Sequence, residues 1–323
     1  MTTQTWLITG GAGYIGSHIA DLFLANNKEV VIYDSLYQGL ESRIEYLRKK
    51  YGKEIPLIVA DIRDSAKFEN VLTAYKPQGV IHTAALKAVG ESVEKPDEYF
   101  EVNHDATAIL LKLLIKHEIH NFIFSSTAAV YGSPDHSNPI KEGDPKNPMS
   151  PYGASKLAAE AEVNGYLAIP GNRGTSLRFF NVVGTAAPEL MDNSTANLVP
   201  IVIDKLKAGE DPVIYGTDYP TLDGTCVRDY VDVRDVANAH LLSANTEKEL
   251  PLVLNIGTGR GTSVREVIEL VGSSLGRTNL QLIPTARRAG DSAILSADVT
   301  LAHNTLGFRA RYDFADSVLS LFR

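Results

Sequence analysis

A chain of 323 residues with 44% hydrophobic and 22% charged residues has the make-up of a packed globular protein, not a disordered one. Its net charge of −8, with no basic block, argues against nucleic acid or a membrane surface as partner, and no apolar run approaches the roughly 20 residues needed to span a bilayer. The one cysteine, Cys226, excludes an intrachain disulfide and a zinc cluster and fits a reducing, cytoplasmic setting; it reads as a small packed residue. The first residues lack the charged start and long apolar stretch of a signal peptide, so no leader is expected.

The first element in chain order is a β-branched run, TWLIT from Thr5, which leads through a glycine-rich turn into helical spacing over Gly16–Ala25. Further strand-like runs follow at EVVIY from Glu29, PLIVA from Pro56, GVIHTA from Gly79 and NFIFSS from Asn121, with helical spacing again over Thr107–His117. Strands alternating with helices predict an α/β fold: a Rossmann-type doubly wound parallel sheet, with ligands at the carboxyl ends of the strands where the strand order reverses. After Asn181 the loops lengthen. Thr185–Asn197 has no clear period, and Gly, Pro and Asp cluster over Gly209–Gly224, before a βα pattern returns at PLVLNIG from Pro251. The division expected is a Rossmann domain over residues 1–181 and a smaller, mainly substrate-binding lobe over 182–323. Arg234–Ser243 is a segment able to pack back onto the first domain.

Gly10, Gly13 and Gly16 stand in GxxGxxG spacing directly after a strand and at the opening of a helix. The first permits a tight turn, the second lets backbone approach a pyrophosphate, and the third lets helix and strand pack closely. The helix N-terminus offers free N–H groups and partial positive charge to phosphates. Asp34 ends the second strand, where a carboxylate accepts from ribose hydroxyls and repels a 2′-phosphate; no arginine follows within the next few residues, so NAD is expected over NADP. Asp61, after the third strand, reads as a partner of the adenine amino group or as the N-cap of the next helix.

Tyr152 and Lys156, in SPYGASKLAAE, are four residues apart in a strongly helical string and so share one helix face. A positive charge about 4 Å from a phenol, at an effective dielectric near 20, contributes about 4 kcal/mol, or roughly three pKa units, which predicts a phenol near 7. Thr127, in SSTAAVYG, follows a strand and reads as a proton relay to Tyr152 or as a turn threonine satisfying backbone. His82, His104 and His240 form no metal-ligand spacing, and no metal is expected.

The glycine motif, SSTAAVYG and YGASK together resemble the extended short-chain dehydrogenase/reductase superfamily. LKAVGESVEKP from Leu86, GTDYPTLDGTCVRDYVDV from Gly216 and ARRAGD from Ala286 are similar to the UDP-glucose 4-epimerase branch of it, over nearly the whole chain. The resemblance implies a tightly held NAD, contacted by Tyr14, Ile15, Ser35, Ile62, Thr83, Ala84, Lys87, Asn103, Ser125 and Phe179 as well as by the residues already named. It implies proton removal by Tyr152 from the 4-hydroxyl of a UDP-hexose, a transient 4-keto sugar that turns over in the pocket, and reprotonation. It places Lys87, Thr127, Tyr152, Asn181, Asn197, Leu198, Tyr215, Arg228, Arg288, Asp291 and Leu295 at the substrate. The planar forks of two arginines suit a pyrophosphate, and Tyr215 suits uracil. A homodimer is implied, through Phe100–His117 and Tyr152–Leu167.

Phe179 and Asp232 depart from the commonest pattern of the branch. Leu295 stands where a bulkier tyrosine narrows the sugar pocket of some members, which leaves UDP-N-acetylhexosamines as an alternative substrate. UDP-glucuronate is another, although no extra cations for its carboxylate are identified. Dehydratases and decarboxylases of the superfamily need an acid after the Ser/Thr, and Ala128 and Ala129 argue against both. A non-catalytic NAD sensor has no need of the Tyr152/Lys156 pair, and a net dehydrogenase would release NADH in each cycle.

Overall fold

The computed structural model describes residues 4–134, 138–194, 197–288 and 291–323. Two residues of the ARRAGD string (289 and 290) and two of the Thr185–Asn197 segment (195 and 196) lie outside them.

In chain order the first half runs β1 (Thr5–Thr9), α1 (Tyr14–Ala25), β2 (Glu29–Asp34), α2 (Glu41–Tyr51), β3 (Leu57–Val59), α3 (Ser65–Tyr75) and β4 (Gly79–His82). It continues with α4 (Val89–Glu94), α5 (Pro96–Phe100), a π-helical turn (Glu101–Asp105), α6 (Ala106–Lys116), β5 (Asn121–Thr127), α7 (Pro151–Leu167) and β6 (Arg173–Phe179). The second half contains β7 (Asn181–Val183), α8 (Leu198–Lys207), β8 (Val213–Tyr215), β9 (Val227–Asp232), α9 (Val233–Asn245), β10 (Val253–Ile256) and β11 (Gly261–Ser263). It ends with α10 (Val264–Ser274), β12 (Ile283–Thr285), β13 (Ile294–Leu295), α11 (Thr300–Leu306) and α12 (Phe314–Ser320).

Seven parallel strands form the central sheet in the order β10-β6-β5-β4-β1-β2-β3. The α/β, Rossmann-type architecture expected from the alternation is therefore the one observed. Its strands are nearly continuous apolar runs because helices cover both faces. One apolar cluster includes Ile19, Phe23, Ile32, Val236 and Leu241; the other includes Leu7, Val80, Phe122, Leu110 and Val163. β1 lies between β2 and β4, so the strand order reverses at the carboxyl ends of β1 and β4, where Thr9 and His82 are in register. An open α/β sheet leaves a crevice at that point.

The sheet is completed from the second half of the chain. β10 pairs with β6, and α9 packs against α1. A smaller sheet is built around β9, which pairs with β7, β11 and β13, and β8 pairs with β12. Among the described residues no helix is long and apolar enough to cross a membrane.

Candidate active site

The glycine turn closes the crevice between β1 and β4. Gly10 has φ +68°, a conformation natural to glycine, and a Cβ there would come within 2.6 Å of Ala84 N. A Cβ on Gly16 would strike the carbonyl oxygen of Gly10, so α1 can start this close to β1 only with glycine. No side chain caps the N-terminus of α1, and its first turn carries no acid. The Asp34 carboxylate is buried at the end of β2, accepting from the N–H of Ala12 at 2.9 Å and of Leu36 at 2.8 Å. Burial pushes its pKa above the usual carboxylate range. Four lone-pair positions on a carboxylate leave room for ribose hydroxyls beside these two bonds. An uncapped helix start, a turn that only glycine fits and an acceptor at the second strand end together fit a dinucleotide.

Thr83 and Ala84 follow β4, with the Thr83 hydroxyl donating to Thr9 O at 2.6 Å. Ser35 is exposed and Ile62 buried at the ends of the neighbouring strands. Asp61 is clasped by Arg63 through its N–H at 2.8 Å, Nε at 3.0 Å and Nη2 at 2.7 Å. That hydrogen-bonded guanidinium lowers its pKa. The N-cap alternative for Asp61 does not hold: Asp64 caps α3, accepting from Lys67 N at 2.9 Å. Asn103 is 1% exposed, and its amide is spent on Leu86 N, Leu86 O and the Ser155 hydroxyl. It shapes the loop that carries Lys87. The Ser125 hydroxyl is 2.9 Å from His240 Nε2, so this side chain is directed at α9. The Tyr14 hydroxyl donates to Gly184 O at 2.5 Å and ties α1 to the loop after β7.

α7 begins with Ser150 as N-cap, its hydroxyl accepting from Gly153 N at 3.2 Å, and with Pro151 in the first turn. This start packs Tyr152 against the end of β5, near enough to Thr127 for the threonine to lower its phenol pKa. The Thr127 hydroxyl accepts from Ala129 N at 3.2 Å, which is the turn role of the two alternatives. Tyr99 meets the Tyr152 ring edge-on, with centroids 6.4 Å apart. Lys156 is 2% exposed, with Nζ 4.0 Å from the centroid of the Phe124 ring.

The expected phenol pKa near 7 is corrected by this environment. Burial raises Tyr152 above its ordinary value, with Thr127 opposing, and burial lowers Lys156 to about 7, with Glu160 opposing. Spacing carries no information on desolvation, which here opposes the charged form of both groups.

Every residue expected at the substrate lines one cleft of about 890 Å³: Lys87, Thr127, Tyr152, Asn181, Asn197, Leu198, Tyr215, Arg228, Arg288, Asp291 and Leu295. Tyr14, Ile15 and Phe179 line it as well. Within it Arg228 reaches Asp291 at 3.2 Å, and the Arg288 guanidinium lies over the Tyr215 ring at 4.0 Å. Cys226 is buried at its wall. Residues not anticipated also meet there. Asp192 accepts from Asn197 Nδ2 at 2.5 Å and stands 3.9 Å from Lys87 Nζ. The fully buried Arg43 donates to Ala12 O at 3.1 Å and to Met191 O at 2.5 Å, joining the glycine turn to that loop. In the sequence Arg43 reads as one more charge on a polar helix, and Asp192 sits in a stretch with no period.

A glycine-turn Rossmann sheet whose Tyr–Lys helix opens into a second lobe is the mark of an extended short-chain dehydrogenase/reductase. Residues 6–257 match the NAD dependent epimerase/dehydratase family, and the chain belongs to it. The chain is similar to a UDP-glucose 4-epimerase of Halalkalibacterium halodurans, 37% identical over 320 residues, covering 97% of this chain and 92% of that one. Among solved structures, UDP-glucose 4-epimerase from Stenotrophomonas maltophila, with bound NAD and formylated UDP-arabinopyranose, superposes with TM-score 0.92. It has 35% identity, with 99% of this chain and 97% of that chain covered. UDP-glucose 4-epimerase from Bifidobacterium longum in complex with NAD+ and UDP gives TM-score 0.89 at 38% identity, with 98% of each chain covered.

Proposed function

We propose that this enzyme is an isomerase that interconverts UDP-glucose and UDP-galactose by epimerisation at carbon 4, with NAD retained. The observation that carries this reading is the one cleft in which Tyr152 and Thr127 meet Arg228, Arg288 and Tyr215. NAD, when bound, supplies the acceptor and then the donor of the carbon-4 hydride. Gly10, Gly13, Gly16 and Asp34 hold it, with Lys156 near its reactive end. Tyr152 takes the proton of the 4-hydroxyl, directly or through Thr127, and returns it to the same oxygen after the keto sugar has turned its other face. A charged Lys156 favours loss of that proton, because it puts an opposite charge beside the phenolate in a space with little water. Arg228 and Arg288 clamp the diphosphate, and Tyr215 takes the uracil. A firmly held UDP lets the keto sugar turn without escaping.

Leu295 in the cleft wall, smaller than a tyrosine, favours a second, slower activity on UDP-N-acetylhexosamines. The homodimer belongs to the same reading: Val93, Phe100 and Ile109 are apolar and exposed on or beside the helices that pack against α7. A cytoplasmic location fits the low cysteine content.

The test is UDP-glucose formation from UDP-galactose by purified protein with no NAD added, beside Tyr152→Phe. Wild type is expected to turn over, and the variant to lose about 10²–10⁴-fold. A wild type that stays inactive after NAD is supplied would overturn the substrate assignment. Undetectable turnover of UDP-N-acetylglucosamine at high enzyme concentration would remove the second activity.

A further inference from the structure

Beneath the catalytic helix lies a charged group that the reaction itself does not use. Glu160 stands one turn after Lys156 on α7 and is 2% exposed. Its Oε1 accepts from the Ser126 hydroxyl at 2.5 Å and from Arg178 Nε at 2.8 Å, and its Oε2 accepts from Arg178 Nη2 at 2.5 Å. Ser126 and Arg178 are register partners on β5 and β6, so both point to the same face of the sheet, and one carboxylate fastens both. The next register pair is Thr127 and Phe179, both at the cleft. Arg178 is itself fixed, donating to the Tyr131 hydroxyl at 2.8 Å and lying over the Tyr131 ring at 4.8 Å.

We propose that Glu160, held by Arg178 and Ser126, is a positioning residue for the reaction: it locks α7 against β5 and β6 and supplies the negative charge that keeps the buried Lys156 cationic. The proposal rests on the epimerase reading above. A buried ion pair is a weak source of stability, because desolvating two charges offsets most of their attraction, and well-packed apolar residues would hold the helix as well. The pair therefore needs another reason to stand next to a buried lysine. Glu160 on its own helix and His82 of β4 interact with Lys156; Arg178 of β6 is bonded to Glu160, and Tyr99 of α5 packs on Tyr152. Glu91 of α4 is hydrogen-bonded to Tyr99; β5 contributes Phe124 and Ser126, the π-helical turn Asn103, and α6 contributes Thr107, which is bonded to His82. Of these, Glu160 is the carboxylate whose charge acts on Lys156, and it opposes burial.

The experiment measures kcat against pH for UDP-galactose epimerisation, with thermal melting alongside, in Glu160→Gln and in Glu160→Gln/Arg178→Met. In the single variant the alkaline limb of the profile is expected to move about one unit to lower pH. That is about a tenfold loss of kcat on the limb, with KM unchanged to within about twofold. In the double variant no unpaired guanidinium remains, so melting recovers towards wild type while the limb stays displaced. A double variant that regains both melting and the wild-type profile, or a single variant whose limb does not move, would overturn the proposal. If the double variant does not fold, Arg178→Lys keeps the carboxylate: it is expected to melt lower and keep the wild-type limb, and a displaced limb there would also count against the proposal. A substrate-free readout separates this inference from the choice of sugar. The Lys156 ammonium, followed by lysine-selective NMR and assigned against Lys156→Arg, is expected to titrate at lower pH in Glu160→Gln than in wild type; an unmoved titration would overturn the inference whatever the substrate.

Discussion

At the scale of single residues, what decides behaviour is burial of groups that would rather be charged. His18, His82 and His240 are 2%, 0% and 0% exposed, and burial lowers their pKa values to about 4, 3 and 4. Each has a folded pKa below its unfolded value of 6.5. The stability that comes from keeping them neutral is therefore fully present above about pH 6.5 and is lost as pH falls towards 4 and 3. Lys156 behaves in the same sense in another window: its folded value of about 7 lies below 10.5, so stability from this group rises between those two limits. The urea midpoint is expected to fall steadily from about pH 6.5 to 4. His240→Gln, which keeps an amide to meet Ser125 and Val236 O, is expected to show a shallower fall; an equally steep one would assign the slope to groups other than His240. The chemistry of the site was legible at this scale because YGASK and the glycines are local patterns. The pKa values were not, nor was Arg43, because burial of a helix arginine depends on which loop closes over it.

At the scale of elements, the close start of α1 on β1 is the feature most exposed to substitution. A methyl group on Gly16 would collide with the Gly10 carbonyl and the Gly11 backbone, neither of which can rotate away. Gly16→Ala is expected to cost about 1–3 kcal/mol by overpacking and to leave the purified protein with little bound NAD. Melting and the ultraviolet absorbance of the protein as purified check both. Wild-type NAD content in that variant would show that the turn yields. Strands β1, β2, β4 and β5 were readable because parallel strands buried on both faces are apolar throughout. β8, β12 and β13, of two or three residues each, carry too few positions to show a period, and pairing with distant segments is what makes them strands. The lone βα pattern at Pro251 was visible, but its place at the edge of the first sheet was not.

At the scale of the whole molecule, exposed apolar side chains set the expected assembly. Val93 is 65% exposed and Ile109 42%, on helices packed against α7. Light scattering is expected to give a dimer that Ile109→Glu/Phe100→Glu shifts to monomer; a wild type monomeric at every concentration would remove the dimer. The expected boundary near residue 181 meets a second fact at this scale, since β10 and α9 complete the first sheet and its helical layer from beyond it. This has a consequence for how the protein is made. A nascent chain leaving the ribosome presents the open edge of β6 and the apolar face of Ile19 and Phe23 until Val236, Leu241 and Ile256 have emerged. The α1 face and the β6 edge, both made in the first part of the chain, thus wait for segments translated much later, and that long interval is when chaperones have most to protect.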